Sequence, residues 1–210
     1  MTAATKKRAR QSPPIKPAAL APAEFWSGEE GKAYTERNRV DWSLRLPFWQ
    51  HILDATNAGS FLEVGCNAGW NLHALKKLRP EATMSAVDYN EDALREANAS
   101  GFDVEVMPGY KVAEFFGADA CELAFTSGVL IHVPPDDLKA TMCAIRDVSS
   151  QYVLAVEYDS DIAREIEYRG RTGLLWKRPY GKLYEDLGLS LVETGVAQGF
   201  DQCHYWLLEK

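Results

Sequence analysis

Two acids and two glycines have the residue types and spacing to bind a nucleotide-like ligand. Glu63 is the next-to-last residue of the apolar segment 61–64, and Gly65 and Gly69 follow it. Glycine lets the backbone approach a ligand closely and adopt positive φ. The helical pattern that begins at Leu72 would direct free N–H groups and a positive dipole end toward the ligand. The segment therefore predicts a ligand-binding turn between a strand and a helix.

The second acid, Asp88, ends the apolar run 84–88. A carboxylate at the end of a second strand can accept two hydrogen bonds from the hydroxyl groups of a ribose. The dinucleotide pattern G-x-G-x-x-G differs, since Asn67 stands where a middle glycine would be. The spacing Glu-x-Gly-x-x-x-Gly resembles motif I of the class I S-adenosylmethionine methyltransferases. In that family the acid equivalent to Glu63 supports the glycine loop and the ammonium end of the cofactor, directly or through water.

This resemblance implies S-adenosyl-L-methionine as the cofactor and S-adenosyl-L-homocysteine as its product. The predicted cofactor-binding residues come from the N-terminal segment and from the loops after the first four predicted strands. They are Tyr34, Arg37, Glu63, Gly65, Cys66, Asn67, Gly69, Asp88, Tyr89, Asn90, Gly109, Tyr110, Ser127 and Gly128.

Apolar segments alternate with helical patterns along the chain, which predicts a parallel sheet. The remaining strands are predicted at residues 102–106, 123–127, 152–157, 189–193 and 204–208. The close final pair allows an antiparallel strand at the end. The predicted fold is therefore α/β, a Rossmann-like class I methyltransferase with a mostly parallel seven-stranded sheet, helices on both faces and an antiparallel last strand.

The chain divides by composition into a leader and one domain. Residues 1–23 are basic and contain four prolines and no acid, so we expect this leader to be disordered. Residues 24–210 are predicted to be a single methyltransferase domain, in which residues 24–58 form an N-terminal helical lid or cap. At 210 residues, of which 46% are hydrophobic and 25% charged, the chain is long enough to bury a full core.

Composition also limits the partners and the compartment. The formal net charge of −7 argues against a nucleic-acid partner, although the basic leader could touch one. No apolar run approaches the roughly 20 residues that cross a bilayer, and no signal peptide is visible. The four cysteines are scattered, so no disulfide scaffold or metal site is expected. The prediction is a cytoplasmic protein, and its oligomeric state is left open.

The catalytic candidates lie after the fourth and fifth predicted strands, because ligands bind beyond the carboxyl ends of such strands. His132 follows the fourth strand, and Glu157 and Tyr158 end the fifth. A histidine with a pKa near its usual value could remove a proton from a hydroxyl or amine at neutral pH. The alternative is a histidine that only packs against the loop.

A basic and aromatic cluster follows the fifth predicted strand. Because arginine favours carboxylates and phosphates, the cluster predicts a site for an anionic acceptor. The alternative is a solvated charged surface. The predicted acceptor-binding residues are Tyr168, Arg169, Arg171, Trp176, Lys177 and Arg178.

Seven short segments narrow the resemblance to the pseudaminic acid biosynthesis-associated methylases. They are residues 34–38, 62–67, 126–132, 155–158, 166–170, 176–178 and 206–210. Two positions depart from that family's pattern, at Arg171 and at Pro179-Tyr180, and both lie in the predicted acceptor region. The resemblance implies an acceptor of the sugar-acid or sugar-nucleotide type.

The predicted function is methyl transfer from S-adenosylmethionine to an oxygen or nitrogen atom of a small anionic molecule. Methylation of a nucleic acid or a protein is the alternative within the same chemistry. A nicotinamide oxidoreductase also uses a strand, a glycine turn and an acid that binds ribose, but Glu63 and Asn67 argue against it. A non-catalytic protein that binds the cofactor or its product is a further alternative.

Overall fold

A computed structural model describes residues 22–210. Of the leader predicted to be disordered, residues 1–23, positions 1–21 lie outside the described residues, and Pro22 and Ala23 belong to the first helix. Within 22–210, no helix combines the length and the apolar character needed to cross a membrane.

The chain forms a seven-stranded sheet, as the sequence predicts. Its strands are β1 Ser60–Val64, β2 Thr83–Asp88, β3 Asp103–Val106, β4 Cys121–Ser127, β5 Ser149–Glu157, β8 Ser190–Val196 and β9 His204–Glu209. They lie in the order β3-β2-β1-β4-β5-β9-β8, and β9 runs antiparallel to both of its neighbours. A separate two-stranded sheet pairs β6 Arg164–Glu165 with β7 Trp176–Lys177. The predicted fold class, including the antiparallel last strand, is confirmed.

Eight α-helices accompany these strands in the part of the chain that the structure describes. They are α1 Pro22–Ser27, α2 Glu29–Arg37, α3 Leu46–Thr56, α4 Trp70–Leu78, α5 Glu91–Ala99, α6 Val112–Phe116, α7 Pro135–Val148 and α8 Tyr180–Glu185. One buried cluster joins the sheet to α3, α4 and α5, and a second joins it to α6, α7 and α8. Helices therefore cover both faces of the sheet.

The central strand β1 sends its side chains alternately to these two clusters. Phe61 belongs to the first cluster, whereas Leu62 and Val64 belong to the second. Because side chains alternate along a strand, Glu63 shares the face of Phe61 and points toward α4. A hydrogen bond from Asn71 of α4 meets it there. The strand thus carries one buried acid into an otherwise apolar interior.

The strand order reverses at β1, which lies between β2 and β4. The connections that leave β1 and β4 cover opposite faces of the sheet, so a crevice opens at their carboxyl ends. Asn90 begins the helix that follows β2, because its side chain accepts hydrogen bonds from the backbone N–H groups of Asp92 and Ala93. These ends position the side chains of the site.

Candidate active site

A cavity of about 250 Å³ opens at the carboxyl ends of β1, β2 and β4. It brings together thirteen residues that the sequence singles out. They are Tyr34, Glu63, Gly65, Cys66, Asn67, Asp88, Tyr89, Asn90, Gly109, Tyr110, Ser127, Gly128 and His132.

The glycine turn after β1 needs glycine for two separate reasons. Gly65 has φ +80°, a left-handed conformation that disfavours other residues. In addition, a Cβ atom on Gly65 would lie 2.3 Å from Cγ2 of Val129. Gly69 has φ +81° and is the N-cap residue of α4, and it lies behind the cavity lining. Gly69 therefore shapes the turn and the start of the helix.

Asp88 fixes the two loops on either side of it. Its Oδ2 accepts a hydrogen bond of 2.8 Å from the backbone N–H of Asn67, and its Oδ1 accepts one of 2.9 Å from that of Asn90. Burial raises the pKa of Asp88, and these N–H donors oppose that rise. Each oxygen keeps further accepting capacity that faces the cavity, since a carboxylate offers about four lone-pair positions.

Glu63 and Arg45 are joined through the side-chain amide of Asn71. Asn71 donates to Glu63 Oε1 at 2.7 Å, and Arg45 Nη1 donates to the Asn71 oxygen at 2.8 Å. Two buried polar atoms of this group have no partner, Glu63 Oε2 and Arg45 Nε. Burial raises the pKa of Glu63 to about 8 and lowers that of Arg45. An acid and a base thus lie side by side in the cavity wall, each with an unused polar atom.

Sequence reasoning missed both Arg45 and Asn71. Asn71 follows the glycine turn and is buried on a helix face that also buries Leu72 and Leu75. The sequence could have pointed to Asn71, because it is a polar residue among the apolar residues of one helix face. Arg45 gave no such signal, because it ends the short 3-10 helix Trp42–Arg45 and only the packing of that helix against α4 brings it to the cavity.

An aromatic wall closes one side of the cavity. The ring of Trp26, from α1, lies 4.4 Å from the ring of His132 and 5.2 Å from that of Tyr34. The expected lid thus supplies Trp26, which was missing from the predicted cofactor-binding residues. Trp49 is fully buried in the core. Arg37 is exposed on α2 and does not line the cavity.

His132 lines the cavity with its ring held in one orientation. Its Nδ1 lies 2.7 Å from the carbonyl oxygen of Leu174. Because a carbonyl can only accept, Nδ1 carries the hydrogen and Nε2 keeps a free lone pair. Burial lowers the pKa of His132 to about 4, so the ring is neutral at neutral pH. In this state Nε2 can accept a proton, but the lowered pKa makes the ring a weaker base than the usual pKa assumed from the sequence.

The other two catalytic candidates lie away from the cavity. Glu157 is fully buried, and its carboxylate accepts hydrogen bonds from the backbone N–H groups of residues 129–131. Tyr158 donates a hydrogen bond of 2.7 Å to Asp201 and lines a second, polar cavity of about 430 Å³. Neither Glu157 nor Tyr158 therefore lines the cavity that His132 lines, so neither can touch a ligand bound there.

The predicted acceptor cluster is not assembled as one surface. Arg178 is 3% exposed and donates to two backbone carbonyls, whereas Arg169 lies at an exposed turn with φ +53°. Arg171 approaches Glu30 at 4.0 Å, and Lys177 lies over the ring of Tyr158. These cations point in different directions because each has a different local partner.

The two aromatic members of this cluster have separate roles. Trp176 is buried, and the guanidinium carbon of Arg178 lies over its ring, 5.1 Å from the ring centroid. Tyr168 packs 5.4 Å from the ring of His132. Of the six predicted residues, Tyr168 is thus in ring contact with His132.

Within residues 22–210, no group of three or more His, Cys, Asp or Glu side chains is arranged to hold a metal ion.

Three solved structures show the same fold. The first is a Burkholderia thailandensis 1,6-didemethyltoxoflavin-N1-methyltransferase with bound 1,6-didemethyltoxoflavin and S-adenosylhomocysteine, at 16% identity and a TM-score of 0.67, covering 94% of this chain and 93% of that one. The second is a Synechocystis magnesium protoporphyrin IX methyltransferase with bound SAM, at 13% identity and a TM-score of 0.67, covering 93% and 100%. The third is a mitomycin 7-O-methyltransferase, at 16% identity and a TM-score of 0.62, covering 91% and 61%.

At these identities the similarity establishes a class I methyltransferase fold. No protein-family model matches the sequence, and no curated protein matches it either.

Proposed function

We propose that this protein is an S-adenosylmethionine-dependent methyltransferase that acts on a small molecule. The observation that carries the proposal is the pair of unpartnered polar atoms, Glu63 Oε2 and Arg45 Nε, beside the glycine turn. Buried polar atoms are normally hydrogen-bonded, so an acid and a base with unused atoms in one cavity suit a ligand that carries both charges. The methionine end of the cofactor has an ammonium group and a carboxylate.

The remaining cavity residues fit the rest of the cofactor. Glu63 would hold the ammonium group and Arg45 the carboxylate. Asp88 would accept hydrogen bonds from the ribose hydroxyls while it keeps its two backbone donors. Gly109 and Tyr110, after β3, line the same cavity and would contact the adenine, since the family resemblance implies an adenine pocket after the third strand.

The same pair of residues argues against the nicotinamide alternative. A nicotinamide dinucleotide has no ammonium group to pair with Glu63 and would leave its buried Oε2 without a hydrogen-bond partner. Calorimetry with S-adenosylmethionine, S-adenosylhomocysteine and NAD tests this directly. We expect binding of the first two and none of NAD. Tight binding of NAD, with neither of the others detectable, would refute the proposal.

His132 is the residue proposed to take a proton from the acceptor. When bound, S-adenosylmethionine supplies a methyl group on a sulfonium, which the acceptor attacks at carbon as the carbon–sulfur bond breaks. Holding the acceptor in line contributes most of the rate, and His132 Nε2 receives the proton of an acceptor that must lose one. Replacing His132 by Ala should lower turnover on the order of 10²- to 10⁴-fold, with cofactor affinity unchanged.

The acceptor is proposed to be small and anionic, of the sugar-acid or sugar-nucleotide type. Support comes from the resemblance to the pseudaminic acid biosynthesis-associated methylases and from the exposed cation Arg169. The bidentate use of Arg178 on backbone carbonyls removes it from this role. Incubating a metabolite mixture with enzyme and cofactor should reveal one acceptor that gains the mass of a methylene group. Arg169→Lys should then raise the acceptor KM and leave cofactor affinity unchanged.

A cytoplasmic location is part of the same proposal. Its support is that all four cysteines are free thiols, three of them buried in the core.

A further inference from the structure

Two buried side chains, the acid Glu157 and the base Arg178, are both directed at one short loop. Glu157 is 0% exposed and ends β5, and Arg178 is 3% exposed and follows β7. The loop consists of residues 128–133 after β4 and is called the His132 loop below. Burying an isolated charge is costly, so a charge that stays buried must be compensated by nearby groups. Here the compensating groups belong to the backbone of the His132 loop.

Glu157 accepts the N–H groups of the loop. One oxygen of its carboxylate, Oε1, accepts from Val129 at 3.1 Å and from Leu130 at 3.0 Å, and Oε2 accepts from Ile131 at 3.4 Å. Hydrogen bonds between a carboxylate and backbone N–H groups are stronger than bonds between neutral groups. Three consecutive peptide groups of the loop are therefore held by one side chain.

Arg178 donates to the carbonyl groups of the same loop. Its Nη1 donates to Leu130 at 2.9 Å and its Nη2 donates to Val133 at 2.9 Å. The planar guanidinium spans two carbonyls at a fixed separation, which an ammonium group cannot do. Leu130 is thus bound at its N–H by the acid and at its carbonyl by the base. His132 lies between Ile131, whose N–H group Glu157 accepts, and Val133, whose carbonyl group Arg178 binds.

The imidazole ring itself is tied to the segment that carries Arg178. Its Nδ1–H donates to Leu174, four residues before Arg178. Tyr168 and Trp26 pack against the ring at 5.4 Å and 4.4 Å. The segment 174–178 therefore holds both the ring of His132 and the backbone of its loop. The loop also contacts the glycine turn through Val129 and Gly65.

We propose that Glu157 and Arg178 are positioning residues that hold the His132 loop, and through it keep the Nε2 atom of His132 presented to the cavity. The role of Nε2 as a base rests on the proposed function. The contacts that hold the loop do not depend on it. A base must be held within a fraction of an ångström and a few tens of degrees of its working geometry, which needs a rigid support. Both residues act through His132 and touch no ligand.

The ring of His132 provides a readout that needs neither acceptor nor turnover. In the wild-type protein, nuclear magnetic resonance should find a slowly exchanging Nδ1–H, and the ring should stay neutral down to a pH near 4. The resonance is identified by its absence from His132→Gln. In Glu157→Gln and in Arg178→Lys we expect the Nδ1–H signal to broaden or vanish, and the titration midpoint to move toward the ordinary value of 6.5 as water reaches the ring.

Glu193→Gln is the matched control. Glu193 pairs with His51 at 2.8 Å on the surface, so its replacement removes one acid and should leave the His132 signal unaffected. Turnover gives a second readout once an acceptor is known. The two positioning variants should lose about 10- to 100-fold in kcat with cofactor affinity unchanged, because a displacement near 1 Å is enough to cost that much.

The ring measurement overturns the proposal if both variants fold, bind S-adenosylhomocysteine and show the wild-type Nδ1–H signal and midpoint. Should neither variant fold, the wild-type ring decides, since the absence of a slowly exchanging Nδ1–H would show that the ring is not held on Leu174 as inferred. Full turnover by His132→Ala would refute the base assigned under the proposed function. The two failures are therefore distinguishable.

Discussion

Asn71 donates a hydrogen bond of 2.7 Å to Glu63 and satisfies only one of the two carboxylate oxygens. The acid is 1% exposed, and burial raises its pKa to about 8. A buried carboxylate with an unused oxygen destabilises the protein, and such strain is typical of groups kept for ligand binding. Stability and affinity should therefore respond in opposite directions when Glu63 is changed.

Glu63→Gln should weaken the cofactor and stabilise the ligand-free protein at high pH. The native pKa lies above the unfolded value of 4.5, so the contribution of Glu63 to stability is complete below 4.5 and is lost as pH rises through about 8. Glutamine does not titrate and escapes this loss. The stability difference between variant and wild type should thus grow by a few kcal/mol between about pH 5 and about pH 9.

Denaturant unfolding at the two pH values measures this difference, and calorimetry should find the cofactor weakened by about 1.5–3 kcal/mol. Glu193→Gln, on the surface, controls for removing one acid. A stability difference that is the same at both pH values would contradict the raised pKa.

Asp88→Asn should weaken S-adenosylhomocysteine by about 1.5–3 kcal/mol, because an amide has one accepting oxygen where the carboxylate has two. Asp103→Asn is the matched control, since Asp103 is an exposed aspartate on the neighbouring strand β3. Its effect on affinity should stay within about 0.5 kcal/mol. Calorimetry on both variants checks this, and equal losses would rule out a specific role for Asp88.

Gly65→Ala should cost about 2–5 kcal/mol of stability. About 1–2 kcal/mol comes from the left-handed backbone, and a further 1–3 kcal/mol comes from the collision with Val129. Gly101→Ala isolates the first cost, because Gly101 has φ +87° and open space around its Cβ position. Urea unfolding should show a larger loss for Gly65→Ala, which Val129→Ala in the same chain should partly recover. Equal losses at both glycines would exclude the collision.

Deleting residues 1–21 should leave the melting temperature and cofactor affinity unchanged, as the basic, proline-containing composition of this leader predicts. Deleting residues 1–27 should weaken the cofactor, because it also removes Pro22, Ala23 and Trp26 from the cavity wall. Melting curves and calorimetry on the two truncations test both expectations. A loss of stability on the shorter deletion would show that the leader contributes to the fold.

The strands, the glycine turn and the two acids could be predicted because their signals are local. Phe61, Leu62 and Val64 form an apolar run in any environment that buries them, and Gly65 meets a backbone requirement that is set within a few residues. Asn90 caps its helix through its own neighbouring N–H groups. The alternation of strands with helices then restricts the sheet to few arrangements.

The roles of the charged residues depended on contacts between segments far apart in the chain. Arg178 follows Lys177 directly, yet one guanidinium is buried on backbone carbonyls and the neighbouring ammonium lies over a tyrosine ring. Arg45 reaches Asn71 only because two helices pack together. Side-chain type states which charge a residue carries, but the free energy of that charge depends on burial and partners, and these are decided by tertiary packing.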